Sequence, residues 1–325
     1  MPGRVSMADV AAVAGVSAQT VSRVVNGSPR VDPATRARVE SAMAQLGYRM
    51  HRAARALRTG RTDAIGLVVS TLATTGNSRM LQAVADAASA RDLALTVVTA
   101  QGADAVARGF ARLRDQGVDG AIVLNEATAA SMTVAVPDAL ALVVVDAPAV
   151  EEGALRATVQ TDHAAGARAA TAYLLSLGHD TVHHLAGPEG SYAAAERERG
   201  WRAALAAAGR PEPEPLRGEW TSASGHVAVT GLDEAATALF AANDQMALGA
   251  MRAFADAGRR VPDDVAVVGF DDVEDAAQYH PPLTTVRQDF DALGAAAVAS
   301  LVALIAGERA APVVLEPKLV RRASA

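Results

Sequence analysis

The sequence predicts an all-α helix-turn-helix head joined to an α/β body of two lobes, each built on a doubly wound parallel sheet. Three observations predict it. Residues 1–61 hold short, capped helical segments and ten arginines against Asp9, Asp32 and Glu40, a balance of +7 that leaves −13 for the rest of a chain with net charge −6. From Ile65 onward short apolar runs alternate with helical patterns, the βαβα order that builds parallel sheets. The runs are too many for one sheet, and 325 residues at about 150 per domain point to two domains and a small extra module.

Composition removes whole classes. Half of the residues are hydrophobic, 20% are charged, and 26 Gly with 14 Pro is an ordinary share, which excludes a disordered or collagen-like chain. The absence of cysteine removes disulfide frameworks, thiolate zinc sites and cysteine nucleophiles, and fits a reducing compartment. Residues Met1–Ala14 interrupt their apolar positions with Arg4, Ser6 and Asp9, which suits neither a signal peptide nor a membrane span, so the expected location is the cytoplasm. A basic head on an acidic body is what a protein needs if one end neutralises phosphates while the other stays off the polyanion. A solvated, arginine-rich helical surface carries the same charge.

In the head, Ser6-Met7-Ala8-Asp9 matches a capping box, Val10, Ala11 and Ala14 fall on one helical face, and Gly15 stops the helix. Ser17 caps a second helix, Ala18 to Val25, with Val21, Val24 and Val25 inward and Asn26-Gly27 ending it. Asp32-Pro33 opens a third that runs to Leu46 before Gly47. Two short helices around a three-residue turn, buttressed by a third, make a helix-turn-helix unit. Gln19 and Arg23 lie four apart on the outer face of the second helix. Gln bonds an adenine edge and Arg a guanine edge bidentately, each pair giving about 1 to 3 kcal/mol of discrimination; a solvent-facing polar stripe has the same pattern. Residues 51–61 read as a basic linker, with helix formers up to Leu57 and a breaker at Gly60.

In the body the strand-like runs are Ile65 to Ser70, Leu93 to Thr99, Gly120 to Asn125, Ala141 to Asp146, Thr181 to Gly187, Ala236 to Asn243 and Val265 to Asp271. Helical stretches are expected at Met80 to Arg91, His163 to Leu177, Tyr192 to Ala208 and Asp244 to Gly258, and a polar break near Ala157 to Asp162 separates the lobes. In open α/β sheets a ligand sits off the carboxyl ends of the strands, and here those ends carry Ser70, Asn125, Asp146, Asn243-Asp244 and Asp271-Asp272. Their convergence suits a polyol, since carboxylates and amides bond hydroxyls and a guanidinium spans two of them. Each taken singly also reads as a helix cap, Asp244 in particular. His179 with His183-His184 lacks a carboxylate at a zinc spacing, so a strand role is expected and no metal. Asp271-Asp272 are adjacent on a strand end and point opposite ways, which weakens an acid/base pair.

The run Met7-Ala-Asp-Val-Ala-Ala-Val-Ala-Gly-Val-Ser-Ala-Gln-Thr-Val-Ser-Arg-Val-Val-Asn-Gly27 resembles the headpiece of the lactose-repressor family of bacterial transcription regulators. The likeness continues through Leu46-Gly47-Tyr48, Ala53 to Leu57 and Ile65 to Val69, and covers essentially the whole chain. It implies that Ala18, Gln19 and Arg23 read an operator in the major groove, with Thr20, Ser22 and Asn26 on phosphates or the turn. Ala54 and Leu57 are the implied DNA contacts of a hinge helix that pairs with its dimer mate; Leu57 matches a leucine pushed into the minor groove, an apolar wedge that bends the duplex. Met50-His51 stands where the family usually has Pro-Asn, so the hinge is expected to be helical only on DNA.

The resemblance also implies a periplasmic-binding-protein-like core whose lobes are joined by three crossings. The expected division is a headpiece 1–50, a hinge 51–61 and a core 62–325, with lobe 1 about 62–158 and 290–317 and lobe 2 about 159–289 and 318–325. Ala242 to Arg252, Val268 to Asp272 and Pro281 to Phe290 are most similar to the member that gives the family its name. By matching position Ser70, Asp146, Arg197, Asn243, Asp271 and Gln288 bind effector hydroxyls, and Trp220 and Phe290 are apolar walls. The loop Leu72 to Ser78 is less apolar than in that member, and Ala195 replaces an arginine. The expectation is a homodimeric repressor on double-stranded operator DNA, controlled by a small galactoside-like sugar, with no catalytic residues, cofactor, metal or membrane partner. The chain has no leucine heptads after its last strand, so the tetramerising tail of some relatives is not expected. A sugar-processing enzyme and a periplasmic sugar-binding protein with the same two-lobed body are the competing readings, and the basic head argues against both.

Overall fold

A computed structural model describes residues 5–25, 27–48, 60–124, 126–131, 133–137, 140–148 and 155–325. The chain divides into two compact units, one up to Asp63 and one from Ala64 to Ala325.

The head unit holds three helices, α1 (Met7–Ala14), α2 (Ala18–Val25) and α3 (Pro33–Leu46). Ser6 and Asp9 form a reciprocal capping box: Asp9 N donates to Ser6 Oγ at 3.3 Å and Ser6 N donates to Asp9 Oδ2 at 2.7 Å. Ser6 N and Ser6 Oγ both donate to the Asp9 carboxyl and hold it below its usual range. Gly15 (φ 63°) and Gly47 (φ 61°) end α1 and α3 in the left-handed conformation that favours glycine. Ser17 Oγ accepts from Thr20 N and starts α2, and Asp32 Oδ1 accepts from Thr35 N beside Pro33 at the start of α3. Val10, Val21 and Val39, one from each helix, are fully buried around Ala42 and Tyr48. Burial of each such valine stabilises the unit by about 1.5–3 kcal/mol, which a module this small needs.

The body contains two six-stranded sheets. The first is formed by β1 (Ala64–Val69), β2 (Ala94–Thr99), β3 (Gly120–Val123), β4 (Ala141–Val145) and β5 (Arg156–Thr161), with a late strand, β11 (Val313–Leu315), beside β5. Their order is β11-β5-β4-β3-β1-β2 and every pairing is parallel. Ile65, Leu67 and Val69 enter one core and Val68 the other, so both faces are buried as a doubly wound sheet requires. Helices α4 (Thr75–Ser89), α5 (Ala103–Asp115) and α6 (Glu126–Ser131) follow β1, β2 and β3.

The second sheet is formed by β6 (His183–Ala186), β7 (Leu216–Arg217), β8 (Ala238–Ala241), β9 (Ala266–Asp271), β10 (Thr284–Arg287) and β12 (Lys318–Val320) in the order β12-β10-β9-β8-β6-β7. It is parallel except for β12, which runs antiparallel to β10. Helices α7 (His163–Ser176) and α8 (Tyr192–Ala207) cover one face, and α9 (Ser222–Val229) and α10 (Asp244–Asp256) the other.

Helix α11 (Phe290–Ile305) returns to the first sheet through Leu293, Val298 and Leu301. Its Gly294 lies so close to α4 that an added Cβ would stand 2.6 Å from Ala83 Cβ. The chain thus crosses between lobes after β5, after β10 and between β11 and β12.

Two expectations are corrected here. The polar break at Ala157 to Asp162 is strand β5, paired with β4 from Arg156 to Val159. Its Thr158 and Thr161 sit almost fully buried, and β-branched threonine fits a pleated strand even where hydropathy is low. The first crossing therefore follows Thr161 and not residue 158. Helix α4 begins at Thr75, five residues before the expected Met80, because Asn77 and Ser78 anchor its first turn to Thr71 O and Leu72 O. Among the described residues no helix is long and apolar enough to cross a membrane.

Candidate functional site

On α2 the side chains of Ala18, Gln19 and Arg23 are exposed, while Thr20 and Ser22 are half-buried. Thr20 Oγ1 lies 2.9 Å from Ser17 Oγ and so belongs to the turn that sets the angle of α2. Gln19 and Arg23 stand on one exposed face of the second helix of the unit. Asn26, Ala54 and Leu57 lie outside the described residues, as does Asn125.

In the body, an open cavity of about 490 Å³, its mouth included, lies at the carboxyl ends of both sheets. Asp146, Arg197, Trp220, Asn243, Asp271, Gln288 and Phe290 all line it. Ser70 does not: the early start of α4 puts Thr74, Gly76 and Asn77 on that wall instead. Asn77, Met80, Ser191 and Leu293 also line the cavity and were not singled out from sequence. Ser191 follows β6 and caps α8, so the strand-end rule applied to β6 would have found it. Asn77 carries no such signal in the sequence, because it precedes the apolar pattern that starts at Met80.

The polar groups form a connected system. Asp146 follows β4 with φ 53°, and its Oδ1 accepts from Thr161 N at 3.4 Å and meets His163 Nε2 at 2.8 Å. Arg197, buried on α8, donates from Nε to His163 Nδ1 at 3.3 Å, from one terminal nitrogen to Ala242 O, and from the other to Asp271 Oδ1 at 3.4 Å. Its guanidinium lies 3.8 Å from the centroid of the Phe270 ring and 5.5 Å from that of Trp220. Gln288 Nε2 donates to Asp271 Oδ1 at 2.7 Å, and Thr161 Oγ1 donates to Gln288 Oε1 at 2.9 Å.

Asn243 caps α10 by accepting from Met246 N and donates to Trp220 O, so it also fixes the tryptophan backbone. Trp220 itself has φ 61°, and Gly187 beneath it is indispensable to its position: a Cβ there would stand 2.3 Å from the indole.

Burial governs the charges. It pushes the Asp271 carboxyl upward against the pull of Arg197 and the Gln288 bond, and lowers Arg197, which Asp271, Asp146 and Asp244 oppose. Asp244 is not the helix cap expected of it; that cap is Asn243. Asp244 is fully buried, accepts from Thr285 Oγ1 and Val273 N, and is raised well above the carboxylate range by burial first and then by neighbouring Asp271.

Asp272 turns away from Asp271 and binds Arg287 and Arg322, each at 2.6 Å, so the pair shares no reaction centre. His184 stacks between Trp201 and Phe240, and His179 bonds Thr237. Among the described residues no group of three His, Cys, Asp or Glu is placed to hold a metal ion. The cleft offers acceptors, a fixed guanidinium and apolar walls, the chemistry of hydroxyl recognition.

Residues 6–50 match the family described as bacterial regulatory proteins, lacI family, and residues 171–325 match the periplasmic binding protein-like domain. The chain is 37% identical to the lactose operon repressor of Escherichia coli K12, over 94% of this chain and 86% of that protein. It is 38% identical to the HTH-type transcriptional regulator CelR of Thermobifida fusca, over 97% and 96%. Among solved structures, the lac repressor dimer bound to operator and the anti-inducer ONPF superposes with TM-score 0.86 at 34% identity, covering 99% of each chain. The CelR–cellobiose complex gives TM-score 0.72 at 34% identity, over 99% of this chain and 100% of that one.

Head, two-lobed body and polar cleft together define a DNA-binding transcription regulator. The chain belongs to the lacI family of bacterial regulatory proteins.

Proposed function

We propose that this chain is a homodimeric, sequence-specific repressor whose operator affinity is set by a small neutral sugar. One observation carries the reading: seven strand-end and helix side chains, with the Arg197 guanidinium among two carboxylates, surround a single cavity. Asp146, Arg197, Asn243, Asp271 and Gln288 bind the hydroxyls, and Trp220 and Phe290 hold the apolar faces of the ring. The charged groups lining the cavity, among the described residues, are Asp146, Asp271 and Arg197. One cation against two anions disfavours a sugar phosphate and suits an uncharged polyol.

A galactoside is the first candidate, on the likeness to the lactose operon repressor. CelR is solved with cellobiose, and a ribose operon repressor is 31% identical over 91% of the chain, so glucosides and pentoses stand beside it. In the head, Ala18, Gln19 and Arg23 read the operator in the major groove, with Thr20, Ser22 and Asn26 on phosphates or the turn, while Ala54 and Leu57 meet the minor groove. The division of 1–50, 51–61 and 62–325 into headpiece, hinge and core follows the same reading.

The test is an operator shift assay with and without D-galactose, lactose, cellobiose and D-ribose. Release of operator by one sugar and not by the others supports the proposal and names the effector. Failure to bind any operator overturns the repressor reading; operator binding with no response to any of the four overturns the sugar reading alone.

A further inference from the structure

His163 is the first residue of α7, placed where the chain has just crossed from the first lobe, and it is 1% exposed. It does not line the cavity. Both ring nitrogens are engaged, Nε2 with Asp146 Oδ1 and Nδ1 with Arg197 Nε. A guanidinium only donates, so Nδ1 is the acceptor; Nε2 then carries the proton and donates to Asp146. The geometry admits one tautomer, the neutral Nε2–H imidazole.

The bonds around it close on themselves. Asp146 leads to His163, His163 to Arg197, Arg197 to Asp271, Asp271 to Gln288, Gln288 to Thr161, and Thr161 N back to Asp146. Asp146 and Thr161 belong to the first lobe, Arg197 and Asp271 to the second, and His163 and Gln288 flank two of the crossings.

We infer that His163 is a positioning residue for the effector: without touching it, the imidazole fixes Asp146 of one lobe against Arg197 of the other, so that both present their remaining bonds to one ligand. This rests on the proposed sugar cleft. The groups facing the ring are Asp146 after β4, Arg197 from α8, and Phe270 with the Asp271 carboxylate from β9; Asp162 on its own turn is occupied as the cap on Ala165 N. A side chain without polar atoms at this position could join neither Asp146 nor Arg197. The bond to Arg197 would be lost, and the circuit would open between the lobes.

The test is calorimetric titration of the full chain with D-galactose, lactose, cellobiose and D-ribose, without DNA, at about pH 7.5. The parent is expected to bind one of them. His163→Phe keeps the ring and loses both bonds, and should bind about tenfold more weakly at pH 7.5. His163→Gln restores one donor and one acceptor, and should recover most of the affinity. Parental affinity in the Phe variant, or a Gln variant as weak as the Phe variant, overturns the role of His163 and leaves the sugar cleft standing. If the Phe variant does not fold by circular dichroism, the Gln variant decides: near-parental affinity supports the role, and a loss of about tenfold overturns it. No binding of any of the four sugars by the parent removes the sugar cleft itself and this role with it.

Discussion

Arg197 has two duties that a single substitution separates. Its guanidinium faces the cavity, and it is also the cation that balances the buried Asp271. Arg197→Ala should therefore bind operator yet ignore the sugar, with effector affinity down by about ten- to a hundredfold for one lost charge-assisted contact. The same change should lower stability by about 3 kcal/mol, because it leaves a carboxylate buried alone. Adding Asp271→Asn should return much of the stability and none of the sugar response, a split that chemical denaturation and calorimetry measure on the same samples.

His184 makes a separate statement about pH. Full burial lowers it to about 4 from 6.5, against weaker upward pulls from its bond to Phe240 O and from Glu198. Between those values the unfolded chain binds more protons than the folded one, so stability is complete above pH 6.5 and declines as the pH falls towards 4. The loss amounts to about 3 kcal/mol. Urea midpoints at pH 7 and pH 4.5 should differ accordingly, and His184→Phe, which keeps the stack and takes no proton, should flatten that part of the profile.

At the level of elements, the β6 turn and the Trp220 loop act as one part. Gly187→Ala places a methyl where the indole now lies, so the wall of the cavity must move. Sugar affinity should fall about tenfold, as a well-packed apolar wall is displaced, with operator binding intact. An unchanged sugar affinity would mean that Trp220 is not a wall of the site. The head was legible in the sequence down to single caps, because Ser6, Ser17, Asp32, Gly15 and Gly47 are local signals that tertiary contacts merely confirm. In the body the strongly apolar β1, β4 and β9 were equally plain. The short or threonine-bearing β5, β10, β11 and β12 were not, since their place in the sheets depends on neighbours more than a hundred residues distant for β11 and β5. The cleft residues at strand ends were found by position, whereas Asn77 and His163 act through partners that spacing does not reveal.

For the whole molecule, two basic heads related by a two-fold axis should meet a roughly palindromic operator. With some six to ten phosphates neutralised, the logarithm of affinity should fall with the logarithm of salt at a slope of about −5 to −9. A slope near zero in an anisotropy titration would remove the head from the DNA. Leu57→Ala should weaken specific affinity and reduce bending in a permuted-site assay while sparing non-specific binding. The threading of the body has its own consequence during synthesis. Neither lobe is continuous in the chain: the first sheet waits for α11 and β11 after all of the second lobe except β12 has been made. At about 5–20 residues per second, the strands β1 to β5 of the first lobe are made roughly eight to thirty seconds before its last strand exists. A nascent chain halted after β10 is therefore a finished head on an open sheet, able to find DNA before it is able to be told to leave.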